Sequence, residues 1–182
     1  MLNIPNFLTL LRIALVPYIA MRLLDGAYAT ACVLFIISAL SDWVDGVIAR
    51  HWNQRTRFGA MADPLADKLT MLTVTLLLTY LHALPWWFTL AVILRDVLIV
   101  AGALAFHFMI GQLVMAPSRI SKLNTALAFI LLVTVLAIEA GFLPDGPWRA
   151  ALLYSTFLTT VLSGGWYVYV WGRKAIEARK AI

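Results

Sequence analysis

The chain has 182 residues, of which 63% are hydrophobic and only 13% are charged, and its mean hydropathy is +0.89. A soluble domain carries roughly twice that charged fraction, so the composition excludes an ordinary water-soluble protein and predicts a chain that lies almost wholly in lipid. The net charge is +5; because the cations stand at the ends of apolar segments, they predict contact with anionic lipid headgroups and no nucleic-acid partner.

Six apolar segments follow one another along the chain, at roughly residues 7–24, 28–50, 60–82, 86–109, 120–140 and 148–171. Each is close to the ~20 residues that a helix needs to cross a bilayer. They are too long for barrel strands and do not alternate as those strands do. The sequence therefore predicts an all-α, polytopic membrane protein with six transmembrane helices and a single domain over residues 1–182.

The cations predict the orientation of these helices. They lie in the second-to-third connection, in the fourth-to-fifth connection and in the C-terminal tail: Arg50, Arg55, Arg57, Arg119, Lys122, Arg173, Lys174, Arg179 and Lys180. The positive-inside rule then puts both termini and these two connections in the cytoplasm. The first residues lack the features of a signal or transit peptide, so we expect a bacterial cytoplasmic membrane with the functional site on its cytoplasmic side.

Two pairs of aspartates stand at the predicted cytoplasmic ends of neighbouring helices. Asp42 and Asp45 are spaced i, i+3, and Asp63 and Asp67 are spaced i, i+4, so each pair shares one helix face. Four converging carboxylates repel one another unless cations compensate them. Two divalent ions would do so, and all-oxygen ligands favour Mg²⁺ or Mn²⁺. Two adjacent metal ions suit a phosphoryl or phosphodiester displacement.

The four aspartates have three other interpretations. They could be helix-end residues in headgroup water that pair with Arg50, Arg55 and Lys68. They could line the ion or proton path of a transporter, but polar residues would then be spread over the whole membrane depth. A catalytically inactive lipid-binding scaffold would be expected to lose at least one of the four, and none is missing.

The spacing of these residues carries a family resemblance. The chain reads Asp42-Trp-Val-Asp45-Gly46-Val-Ile-Ala49-Arg50, then eight residues, Gly59, three residues, Asp63, three residues and Asp67. This resembles the complete signature of the CDP-alcohol phosphatidyltransferases, DxxDGxxARx8GxxxDxxxD. The resemblance extends to the opening segment Asn3–Arg12 and to the six-helix layout, so it covers nearly the whole chain.

The resemblance implies an activity and a role for each signature residue. The expected activity is transfer of a phosphatidyl group from CDP-diacylglycerol to a glycerol-containing alcohol with release of CMP, by a homodimer. The four aspartates would bind two metal ions, and Asp67 would also act as the general base. The residues expected to bind CDP are Gly46, Ala49, Arg50 and Gly59. The glycines allow the ligand to approach the backbone closely, and the arginine can donate two parallel hydrogen bonds to a phosphate.

Further polar residues within the apolar segments are candidates for the donor-phosphate or acceptor pocket. These are Asn6, Thr9, Arg12, Arg95, Arg119 and Lys122. For Arg95 and its neighbour Asp96, an interhelical ion pair is the competing interpretation.

The acceptor is predicted from two missing cations. Relatives that resemble the phosphatidylglycerophosphate synthases carry basic residues where this chain has Ala103 and Asn124. Fewer cations favour a less charged acceptor, phosphatidylglycerol, as in the cardiolipin synthases, which the Ser121–Thr125 stretch also resembles. The Trp52–Gly59 stretch instead resembles the phosphatidylglycerophosphate enzymes, which use glycerol 3-phosphate, so that acceptor stays open.

Overall fold

The computed structural model describes residues 4–51, 57–110 and 118–180, with the side chains of 11–41, 65–104 and 118–173. Over these ranges the chain forms helices and no strand, which confirms the all-α prediction. The helices are α1 (Ile4–Leu24), α2 (Tyr28–His51), α3 (Arg57–Tyr80), α4 (Trp86–Ile110), α5 (Arg119–Glu139) and α6 (Pro147–Lys180). Their bounds follow the predicted segments within a few residues, except that α6 continues nine residues beyond the predicted end at residue 171.

Two stretches of the described residues are long and apolar enough to cross a membrane by length and composition. They are Trp86–Leu104 in α4 and Arg119–Glu139, the whole of α5. A shorter apolar stretch, Tyr28–Ser41, lies in α2. The number of helices is therefore confirmed, while the prediction that all six cross the membrane stays a prediction.

Three helices end in the same backbone arrangement. After α1, Gly26 has φ +72°, its N–H donates to the Leu23 carbonyl, and the next N–H reaches back five residues. Gly141 repeats this pattern after α5 with φ +74°, and His82 repeats it after α3 with φ +61°. This is the Schellman motif, which bonds the last carbonyls of a helix and requires a left-handed residue, usually glycine. His82 adopts that conformation without being a glycine.

Helix starts are fixed by short-range signals as well. The Ser118 hydroxyl accepts a hydrogen bond from the Ser121 N–H at 3.1 Å, which makes Ser118 the N-cap of α5. Helix α6 opens with Pro147, whose fixed φ and missing N–H suit the first helical position.

The residues group into two compact units. Unit 1 contains residues 1–84 and 132–145, and unit 2 contains residues 85–131 and 146–182. In unit 1, α1 packs against both α2 and α3, and α2 also contacts α3. Its core is apolar and is contributed by all three helices and the second half of α5: Ile19, Leu23, Phe35, Val74, Leu78, Leu132 and Leu136.

In unit 2, α4 packs against α6. Gly102 permits this contact, because a Cβ at that position would collide with the indole ring of Trp171. At the other end of the same helices, Trp87 stacks on Tyr154 with ring centroids 5.9 Å apart. The face of α6 between these aromatic contacts is polar, since the side chains of Thr156, Thr160 and Ser163 are almost completely buried.

Hydroxyl groups within the helices bond to their own backbone. In α3 the hydroxyls of Thr70, Thr75 and Thr79 each donate to the carbonyl four residues earlier, at 2.7–2.9 Å. Thr156 in α6 does the same to Leu152. These bonds supply a partner to side chains that would otherwise be buried polar groups without one.

Candidate functional site

The signature residues lie on two helices of unit 1. Helix α2 contains Asp42, Asp45, Gly46, Ala49 and Arg50, and helix α3 contains Gly59, Asp63 and Asp67. Within each helix the two aspartate positions fall on one face, as the spacing predicts. Because α2 contacts α3 within unit 1, the fold is compatible with the predicted convergence of the pairs.

Of these side chains, only that of Asp67 lies among the described residues. Asp67 is half-buried and takes part in an interaction within the protein. Among the described side chains there is no group of three or more that could hold a metal ion. The side chains of the other seven signature residues lie outside that set, so the metal and CDP assignments stay predictions.

Of the three pocket candidates on α1, only Arg12 has a described side chain. Asn6 and Thr9 lie on α1, but their side chains are outside the described set. Arg12 is 1% exposed and has an interaction partner. An arginine enclosed to this extent in an apolar chain is costly unless it is paired. The predicted role of Arg12 in the donor-phosphate or acceptor pocket stays a prediction.

Arg95 is the centre of a polar cluster in unit 2. Its Nη1 donates to Asp96 Oδ1 at 2.7 Å, and its Nη2 donates to Ser121 Oγ at 2.6 Å and to Ser163 Oγ at 3.1 Å. The side chain is 11% exposed, and its Nε is buried with no hydrogen-bond partner among the described residues. We call Arg95, Asp96, Ser121 and Ser163 the Arg95 cluster.

The Arg95 cluster corrects one interpretation of the sequence. Among the described residues, the ion pair of Arg95 is with Asp96, its neighbour in α4, and not with a residue of a second helix. What links Arg95 to α5 and α6 is a pair of serine hydroxyls, which orient the guanidinium without neutralising it. Among the described residues, one carboxylate and two neutral hydroxyls accept hydrogen bonds from Arg95, which are fewer acceptors than its five N–H groups.

Asn124 is part of a second polar cluster, one turn further along α5. It is 6% exposed, and its Oδ1 lies 2.9 Å from Thr159 Oγ1 and 2.8 Å from Thr160 Oγ1. Arg119 and Lys122, by contrast, are exposed at the start of α5. Ala103 in α4 is half-buried. The position that the sequence presents as a lost cation is therefore an amide bonded to two threonines.

Sequence reasoning missed the contribution of α6. Thr156, Thr159, Thr160 and Ser163 were not predicted, yet three of them bond to Asn124 or Arg95. Their spacing of i, i+3, i+4 and i+7 is that of one helix face. Hydroxyls recurring with that period inside an apolar segment were the available signal.

The described residues form an all-helical chain in which the signature positions lie on two contacting helices, α2 and α3. A model of the CDP-alcohol phosphatidyltransferase family matches residues 2–162, and the chain belongs to this family. That membership favours the enzyme interpretation over the transporter.

Curated relatives of two kinds are similar to the chain. Cardiolipin synthase (CMP-forming) of Rattus norvegicus is 33% identical over 98% of this chain, and a putative cardiolipin synthase of Mycobacterium bovis is 33% identical over 93%. A CDP-diacylglycerol–glycerol-3-phosphate 3-phosphatidyltransferase of Sodalis glossinidius is 38% identical over 74% of the chain. The matches cover 64%, 78% and 77% of these relatives' own lengths, so the chain spans less than two thirds of the rat protein.

Proposed function

We propose that the chain transfers a phosphatidyl group from CDP-diacylglycerol to a glycerol-containing alcohol and releases CMP, in anionic phospholipid biosynthesis. The observation that carries this proposal is the complete signature, Asp42 to Asp67, on two contacting helices of a chain that belongs to the family. No fixed position of the signature is substituted, which argues against an inactive scaffold.

Two divalent ions, Mg²⁺ or Mn²⁺, fit the donor set that we assign to them. The four aspartates offer only oxygen ligands, and their positions pair up on single faces of α2 and α3. Asp42, Asp45 and Asp63 would hold the ions together with Asp67. When bound, such ions stabilise the negative charge that develops as a phosphate leaves.

The remaining chemistry is assigned to the protein's own groups. The acceptor hydroxyl oxygen forms a bond to the phosphorus that bears diacylglycerol, and the bond from that phosphorus to the CMP oxygen breaks. Asp67 takes the hydroxyl proton, and CMP leaves with the bonding electron pair. Gly46, Ala49, Arg50 and Gly59 bind the CDP portion, with Arg50 donating to its phosphates.

Phosphatidylglycerol is the acceptor that we favour. Its phosphodiester carries a single negative charge, which matches a part of unit 2 in which the side chain of Arg95 is 11% exposed and Asn124 is neutral. Arg12, Arg119 and Lys122 are the other cations assigned to donor phosphate or acceptor. The similarity to cardiolipin synthases over nearly the whole chain supports this choice.

Glycerol 3-phosphate is the second candidate acceptor. The Sodalis glossinidius relative, named for that substrate, has the higher identity of the three, at 38%. Lys122 and Arg119, both exposed at the start of α5, could supply the additional positive charge that a dianion needs.

We also propose a setting for this activity: a homodimer that crosses the bacterial cytoplasmic membrane six times, with its active site on the cytoplasmic side. Large apolar side chains that are more than half exposed support lipid contact, among them Leu40, Leu94 and Leu158. In sealed cells with a Cys32→Ala background, a cysteine introduced at Arg55 should resist labelling from outside. Labelling there would overturn the orientation.

The function is tested with purified protein, labelled CDP-diacylglycerol and Mg²⁺. Phosphatidylglycerol should give cardiolipin and CMP in equal amounts, and Asp67→Asn should abolish both. Asp25→Asn is the matched control, because Asp25 pairs with Arg22 at 2.6 Å outside the signature, and it should retain full activity. Phosphatidylglycerophosphate from glycerol 3-phosphate would support the second candidate. No CMP with either acceptor would refute the proposed function.

A further inference from the structure

The buried faces of α1 and α3 carry opposite charges at matching positions. On each helix a charged residue precedes two buried apolar residues with the spacing i, i+7 and i+11, which places the three on one face. The sets are Arg12, Ile19 and Leu23 on α1 and Asp67, Val74 and Leu78 on α3. The apolar members belong to the core of unit 1 and are at most 1% exposed. Arg12 is enclosed to the same extent, and Asp67 is half-buried.

Helices α1 and α3 run in the same direction within unit 1. Only residues 25–27 separate α1 from α2, and only residues 52–56 separate α2 from α3, so successive helices are antiparallel neighbours. Helices α2 and α3 have 24 residues each, which brings the end of α3 back to the level at which α1 ends.

Arg12 and Asp67 therefore lie at one level of unit 1. Arg12 precedes Leu24, the last residue of α1, by a rise of about 18 Å, and Asp67 precedes Tyr80, the last residue of α3, by about 19.5 Å. The difference is about the rise of one residue, and α1 contacts α3. The same faces thus hold apolar side chains in the core and a cation opposite a carboxylate at the level where the signature begins.

Burial makes a partner necessary for this cation. An arginine that is 1% exposed has almost no contact with water, and its charge is costly unless a carboxylate compensates it. Arg12 and Asp67 each take part in an interaction within the protein. The position of Asp42 on α2, about 21 Å from Tyr28 at the start of that helix, is the alternative at a similar level.

We infer that Arg12 is a positioning residue that pairs with the Asp67 carboxylate and orients it in the acidic site. A guanidinium donates two parallel hydrogen bonds, which fix the direction of a carboxylate. Because Arg12 is 1% exposed, it serves the pocket through Asp67 and not by direct contact with a substrate. The catalytic consequence rests on the proposed function, whereas the ion pair is testable apart from it.

The pair is tested by thermal unfolding of the purified protein in detergent with an excess of chelator. Arg12→Met removes the charge and keeps a long unbranched side chain. It is made in the wild type and in the Asp67→Asn and Asp42→Asn backgrounds. Arg22→Met is the matched control, because it breaks a more exposed ion pair of α1, the one to Asp25 at 2.6 Å.

The expected result is a loss of stability that depends on Asp67. In the wild type, Arg12→Met should lower the unfolding temperature by roughly 6 °C or more, because it leaves a partly buried carboxylate without its counter-charge. In the Asp67→Asn background the substitution should cause no such loss, whereas in the Asp42→Asn background the loss should persist. Arg22→Met should lower the unfolding temperature by less than about 4 °C.

Metal and donor binding supply a readout that a packing role would not change. Since Arg12 competes with divalent ions for Asp67, Arg12→Met should lower the Mn²⁺ concentration that gives half of the maximal thermal stabilisation by about tenfold. Arg22→Met should leave that concentration unchanged. In the Asp67→Asn background, Arg12→Met should leave the affinity for CDP-diacylglycerol unchanged, because the arginine does not contact the donor.

Three results would overturn the inference. They are an equal loss of unfolding temperature with and without Asp67, a Mn²⁺ requirement that is unchanged or higher, or weaker CDP-diacylglycerol binding caused by Arg12→Met in the Asp67→Asn background. If Arg12→Met does not fold, Arg12→Lys, which keeps the charge but not the planar fork, decides by the same comparison of backgrounds. Wild-type protein that releases no CMP with either acceptor would refute the proposed function, while the unfolding comparison would still decide whether the pair exists.

Discussion

Ser163→Ala offers a direct test of whether the Arg95 cluster serves the acceptor. Ser163 is completely buried in α6, and its hydroxyl accepts a hydrogen bond from Arg95 Nη2 at 3.1 Å. The substitution removes one oxygen and changes nothing else in the helix. Because the site is buried, no water is positioned to replace that oxygen, and the guanidinium loses its link to α6.

The size of the effect follows from the contacts that remain. A hydrogen bond to a charged group contributes about 1.5–3 kcal/mol. The bond from Arg95 to Ser163 is longer than the 2.6 Å bond from the same nitrogen to Ser121, so the lower end applies. About 1.5 kcal/mol therefore sets an upper limit of roughly a tenfold increase in the KM for the acceptor, reached when acceptor binding has to restore the whole of the lost restraint on Arg95. Ser121→Ala should have the larger effect of the two.

The assay compares KM for acceptor, KM for CDP-diacylglycerol and thermal unfolding in the same detergent. Ser155→Ala is the control, since Ser155 is exposed on α6 and bonds only to the Leu152 carbonyl. The expected result is a rise confined to the acceptor KM, absent in Ser155→Ala. A fall in the unfolding temperature with both KM values unchanged would show that Ser163 only packs helices, and the assigned role of Arg95 would be wrong.

Four further predictions concern the metal site and helix geometry. Chelation of divalent ions should stop CMP release. Asp67→Asn should cut turnover by two or more orders of magnitude while CDP-diacylglycerol still binds, whereas Asp42→Asn should weaken metal and donor binding together. Equal loss of donor affinity in the two variants would contradict this division of roles. His82→Gly should raise the free energy of unfolding by up to about 1 kcal/mol, because the position has φ +61°; an unchanged or lower unfolding temperature would exclude strain there. Gly102→Ala should destabilise unit 2 by about 1–3 kcal/mol through collision with Trp171, and a second substitution, Trp171→Leu, should relieve most of that loss.

The helices and the family were predictable from the sequence because their signals are local or carried by fixed spacing. A run of about 20 apolar residues reports a helix irrespective of its neighbours, and the interval from Asp42 to Asp67 is read directly from the chain. Helix ends were predictable where a glycine marked them. The end of α3 was placed two residues late because His82 carries none of the composition cues of the left-handed position that it occupies.

The polar contacts of unit 2 were not predictable, since they depend on which residues of α4, α5 and α6 face one another. The sequence shows that Arg95 is next to Asp96, but it does not show that Arg95 also donates hydrogen bonds to two serines that lie 26 and 68 residues away. It presents Asn124 as a missing charge. Only the packing of α5 against α6 shows that a lysine there would displace a bonded amide and bury an ammonium group, which is costly. The substitution Asn124→Lys is therefore expected to disrupt unit 2 before it alters substrate choice.

The threonines that bond to their own helices change the free energy of transferring those helices into a bilayer. Hydropathy scales that are summed residue by residue include, for each threonine, the free-energy cost of removing its hydroxyl from water. In α3, however, the hydroxyls of Thr70, Thr75 and Thr79 are paired with carbonyls of the same helix, so transfer of this helix from water into lipid would leave none of the three without a partner. Partitioning of α3 and α6 should therefore be more favourable than the sum of their residues implies, by up to about 1–3 kcal/mol for each satisfied hydroxyl.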